Sequence, residues 1–82
     1  MQIAKTEAEW QARASAFLKL KMKEAGVTYA GLRERLKTQG FDETEASITM
    51  KLKRGTFAAT FLLACLAALE IDAIQLRDIS AE

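Results

Sequence analysis

The stretch "KLKRGTF", residues 51–57, crowds cationic and polar side chains around one glycine, just before the longest apolar run of the chain. Lys51, Lys53 and Arg54 suit the chemistry of anion holding: arginine grips phosphate with a planar fork, lysine with a compact charge. Upstream, at helical spacing, stand Ala46, Ser47 and Met50. In a major groove, Ser47 would be the polar base contact, and Ala46 and Met50 would meet thymine methyls. Earlier, Thr28, the Tyr29 amide and Arg33 gather at a helix start, where unpaired amides favour anions. These nine residues predict an interface for double-stranded DNA. The competing reading is a set of solvated helix faces.

Other chemistries lack their residues. There is no histidine and only one cysteine, so a histidine-based acid, base or metal site and a four-ligand zinc site are excluded. No glycine-rich phosphate loop occurs, and the carboxylates sit at helix starts without a catalytic pairing. Cys65 lies in the apolar run, where a thiol is expected to be inert packing. The expectation is therefore no enzyme activity and no cofactor.

The elements that must position these groups are helical. The chain has 82 residues, no proline and four glycines, and half of it is apolar, with many of the residues that lose least on entering a helix. "TEAE" predicts a start capped by Thr6 with Glu9 reaching back to the cap amide, and Trp10, Ala14, Phe17, Leu18, Met22 and Ala25 as the inward stripe of a helix over 7–25, closed by Gly26. A second helix over 29–38 follows Thr28 and buries Leu32 and Leu36, with Tyr29 assisting. A third, over 43–54, is expected to start at Asp42 with Glu45 assisting, and to bury Ile48 and Leu52 before Gly55 ends it. Its outward arc then holds Glu43, Ala46, Ser47, Met50, Lys53 and Arg54, with Lys51 on the flank. Thr56 would cap a fourth helix over 57–70, apolar nearly all round and so expected at the centre of the bundle. A fifth, over 73–78, capped by Asp72, would pack back through Ile74, Leu76 and Ile79, and the final "SAE" should fray.

A chain of this size forms one domain able to bury roughly 60% of its extended-chain surface. No apolar run reaches the roughly 18 residues of a membrane span, and "MQIAKTEAEW" lacks the pattern of a signal peptide. The expectation is a cytoplasmic protein with no membrane partner. Its formal net charge is +1. The distribution is more telling. Residues 13–54 carry ten cations against five anions, while residues 55–82 carry one cation against four anions. The positive share thus falls on the segments with the candidate contacts. Against it stands "DETE", whose carboxylates stabilise a helix start by its dipole yet would repel a polyanion there.

"LKLKMKEAGVTYAGLRERL", "ITMKLKRGTF" and "LACLAALEIDAIQL" resemble the helix-turn-helix domains of the phage-repressor and Cro type, covering most of residues 18–76. The resemblance implies an all-α, five-helix repressor-like bundle and a transcriptional regulator binding DNA through its third helix. More narrowly, "GVTYAGL" and "KLKRGTFAATFLLACLAAL" resemble a small bacterial family of unknown function. Two departures stand out. "KTQ" separates Leu36 from Gly40, so either the second helix runs longer or the turn bulges, and Met50 stands where the narrow family often has Asn. The alternative reading is a protein-interaction or dimerisation module that shares the fold without binding DNA. A homodimer is expected if DNA half-sites are read, with whichever of Phe57, Phe61 or Trp10 is left exposed supplying its surface.

Overall fold

The computed structural model describes residues 3–79, and among these there are four α-helices, one short 3-10 turn and no strand. Thr6 opens α1 (Glu7–Ala25) by accepting the Glu9 amide at 3.1 Å, and Gly26, at φ 69°, closes it. The Glu9 carboxylate takes the Lys5 amide at 2.8 Å, one residue earlier than the expected cap amide. Thr28 opens α2 (Tyr29–Thr38) in the same way, through the Gly31 amide at 3.0 Å.

The third helix departs from expectation at its start. α3 (Glu45–Arg54) begins two residues later than Asp42 and Glu43 suggested, with Thr44 as its cap. Thr44 and Ser47 exchange reciprocal bonds of 3.0 Å, each hydroxyl accepting the other's amide, so a hydroxyl replaces the carboxylate of the usual box. Glu43 is thereby released from helix duty and turns inward.

α4 (Ala59–Ala68) is shorter than the expected 57–70. Thr56 does not cap it; Ala58 holds the cap position and has no side chain to serve the first amides. Ala58 is extended at φ −67° and ψ 152°, and Phe57 before it sits half-buried with its ring 5.6 Å from that of Phe61. The fifth helix expected over 73–78 is instead a 3-10 turn at Leu76–Ile79, where the Asp78 carboxylate accepts the Gln75 amide at 2.8 Å and Asp72 caps nothing. Leu76 is exposed rather than packed inward, while Ile74 and Ile79 are half-buried. The "SAE" tail lies outside the described residues.

The core gathers Phe17, Leu18 and Met22 of α1, Leu32 and Leu36 of α2, Ile48 and Leu52 of α3, and Phe61, Cys65 and Ala68 of α4. Trp10 and Ala25, expected in the inward stripe of α1, lie at the surface. α1 packs on α3, α2 packs on both α3 and α4, and the 3-10 turn returns to α1. α4 is not wrapped by the bundle: Ala59, Thr60, Leu63 and Ala67 face outward. Lys37 and Thr38 extend α2, and the rest of the extra length forms the connection from Gln39 to Thr44. That connection is anchored by Phe41, half-buried with its ring edge-on to Phe61 at 6.2 Å.

Gly55 answers why a glycine stands inside the basic stretch. It ends α3 in the left-handed region at φ 68° and lies so close to α1 that a Cβ there would overlap the Gln11 carbonyl. The helix that carries the cations is therefore seated directly on the backbone of α1.

Candidate nucleic-acid interface

Ile48 and Leu52 are fully buried and turn one side of α3 into the core, as the 3.6-residue period requires. The opposite side is an exposed ridge of Glu45, Ala46, Thr49, Met50, Lys53 and Arg54. Met50 retains 44% of its surface, and neither Lys53 nor Arg54 has a hydrogen-bond or ion-pair partner among the described residues. Thr49, which is not among the contacts the sequence predicts, shares this ridge. Its hydroxyl donates to the Glu45 carbonyl at 2.8 Å, which leaves its lone pairs free to accept. Helical geometry puts Thr49 and Lys51 about equally far, roughly 80°, from the buried centre line. What separates them is the Gln39–Thr44 connection, which covers the Lys51 flank and leaves the Thr49 flank open.

On the covered flank the expected contacts are occupied internally. The Lys51 ammonium donates to the Glu43 carboxylate at 2.7 Å and lies 4.6 Å from the centre of the Phe61 ring, a cation–π contact. The Ser47 hydroxyl donates to the other Glu43 oxygen at 2.6 Å and accepts the Thr44 amide at 3.0 Å. Arg33 reaches the same place, its Nε donating to the Glu43 carbonyl at 3.1 Å. Glu43, placed by the sequence on the outward arc, keeps only 11% of its side-chain surface exposed. Burial pushes its pKa up, but the hydrogen bonds from Lys51 and Ser47 and the Lys51 charge outweigh burial, so the carboxyl titrates below its ordinary value. Ser47 and Lys51 thus form the socket for the Glu43 carboxylate, and Arg33 holds the backbone of the same residue.

A second group lies where α1 ends and α2 begins. Thr28, its hydroxyl already capping α2, and the half-buried Tyr29 share an open cleft of about 330 Å³ with Lys19, Met22, Lys23 and Val27. Lys19 and Lys23, one helical turn apart, bring two cations to the place where the sequence predicts only Thr28, Tyr29 and Arg33. Their i, i+4 spacing ahead of the Gly26 stop was the available signal.

No three His, Cys, Asp or Glu side chains converge as metal ligands among the described residues, and no helix there is long and apolar enough to cross a membrane. The Cys65 thiol is fully buried, and burial, together with the Glu43 charge, pushes its pKa up to about 12. It carries no thiolate at neutral pH.

The family model described as Domain of unknown function (DUF6471) matches residues 10–74, from Trp10 on α1 through Ile74 ahead of the 3-10 turn. The chain belongs to that family. No curated protein and no solved structure matches it. The DUF6471 span takes in α2, α3, α4, the Glu43 socket and most of α1, so the ridge and its support lie together within the family's own region.

Proposed function

We propose that this domain binds double-stranded DNA as a transcriptional regulator, with α2 and α3 acting as a helix-turn-helix within a repressor-type fold, in the cytoplasm and associated with the nucleoid. The observation that supports it most is the exposed ridge of α3, polar and apolar along its length and ending in two cations without a partner among the described residues. In this reading Thr49, Ala46 and Met50 face base edges, and Lys53 and Arg54 hold phosphates. Thr28, the Tyr29 amide, Lys19 and Lys23 take a flanking phosphate. Ser47, Lys51 and Arg33 position the ridge through Glu43 and do not touch the duplex. A homodimer would present two such ridges to paired half-sites. The domain carries out no catalysis and needs no cofactor.

Fluorescence anisotropy with labelled duplex over a salt series tests this. Affinity is expected to fall steeply with salt, and Lys53→Glu and Arg54→Glu should each reduce the slope of log K against log salt by about 0.9. Wild type that fails to bind duplex at low salt would sink the reading.

A second reading, a protein-interaction module without DNA binding, is favoured by two features. Asp42 and Glu45 place acidic groups at the start of α3, which would meet a polyanion unfavourably, and the exposed side of α4 carries no charge.

A further inference from the structure

From Gly55 through Leu69 the chain contains no charged residue, yet α4 lies at the surface of the bundle. A surface helix ordinarily turns a charged face to water. Here Ala59, Thr60, Leu63 and Ala67 are exposed, Leu62 and Leu66 are half-exposed beside them, and Leu63 keeps 63% of its surface. Both ends of the same helix are irregular. Its start has no side-chain cap. Its end is closed by Glu70 in the left-handed region at φ 59°, a position that glycine normally fills, with a carboxylate that has no partner among the described residues.

We propose that this face pairs with a second copy of the chain through antiparallel contact of α4 with α4 about a two-fold axis at Leu63. The spacing is self-complementary: Leu63 stands midway between Ala59 and Ala67, four residues from each, so each leucine on the axis is flanked by small side chains of both copies. A charge-free face meets its own copy without like charges opposing across the axis. The ends then match in charge. In this register the partner's Glu70 falls three residues before Ala59, where its carboxylate reaches the uncapped first turn and the positive pole of α4. One contact thus accounts for the bare apolar face, the missing cap and the acidic residue in a strained conformation. A helix of ten residues is about 15 Å long, so the contact falls short of the roughly 1,200 Å² of a standard interface. The dimer is accordingly weak, in the micromolar range or above, and forms at high local concentration. This deepens the dimer part of the proposed function and is independent of its DNA part.

Sedimentation equilibrium of the full chain without DNA, from micromolar to millimolar concentration, reads it. Wild type should show a monomer–dimer equilibrium. Leu63→Arg should weaken it at least tenfold with no loss of melting temperature, because the side chain is already in water. Glu70→Gln should weaken it several-fold, and Glu70→Gly should weaken it equally while raising the melting temperature, a combination that a local effect on the fold does not give. Wild type that remains monomeric to millimolar concentration, or Leu63→Arg that associates as well as wild type, overturns the interface. Unchanged association in Glu70→Gln and Glu70→Gly overturns the antiparallel arrangement.

Discussion

Lys51 has two neighbours that compete with any phosphate for its ammonium, the Glu43 carboxylate at 2.7 Å and the face of Phe61. Sequence spacing rightly placed this lysine on the flank of α3 but carried no information about Glu43, because a residue eight positions away reaches it only through the shape of the intervening turn. The consequence for Glu43 is measurable. Its folded pKa lies below the ordinary 4.5, so ionised Glu43 contributes stability that is fully present above that value and lost as pH falls from about 4.5 through the folded pKa. Glu43→Gln, which retains a hydrogen-bond acceptor but no titrating charge, should be less stable at neutral pH and show a shallower loss of stability below pH about 4.5, followed by urea unfolding at a series of pH values. A wild-type acid limb identical to that of the variant would remove Glu43 from its socket.

Among the elements, the glycines at the ends of α1 and α3 adopt the same left-handed conformation but have different surroundings. At Gly26 an added Cβ meets nothing within 4 Å, whereas at Gly55 it would overlap the Gln11 carbonyl. Gly26→Ala should therefore cost only the conformational penalty, about 1–2 kcal/mol. Gly55→Ala adds an overpacking cost of about 1–3 kcal/mol, for roughly 2–5 kcal/mol in total. Equal shifts in the denaturant midpoints of the two variants would show that α3 does not rest on α1. Both stops were legible in the sequence, as were the Thr6 and Thr28 caps and the buried pairs Leu32/Leu36 and Ile48/Leu52, since each is set by local spacing. The start of α3 was not legible. "DETE" offers three acidic caps and one threonine, and nothing local to it shows that Thr44 takes the cap while Glu43 pairs with Lys51 across the turn. α4 was misread for a related reason: an all-apolar helix fits a bundle centre or an uncovered face equally well, and periodicity cannot tell them apart.

For the molecule as a whole, one core joins all four helices, and Cys65 lies fully buried within it. With its pKa raised to about 12, the thiol should react only when the domain opens. Labelling by a disulfide reagent at neutral pH should run about a thousandfold or more slower than for the unfolded chain and accelerate with denaturant in step with global unfolding. Rapid labelling without denaturant would contradict a single cooperative core. The direct contact between the Gly55 turn and the α1 backbone also bears on the proposed DNA binding. At that point no side chain lies between the Gly55 turn and the Gln11 backbone to switch rotamer, so the end of α3 is fixed relative to α1. If the domain binds DNA as proposed, a misfit at that end would be absorbed by the duplex, so sequences whose base steps bend cheaply would be selected even at positions no side chain reaches.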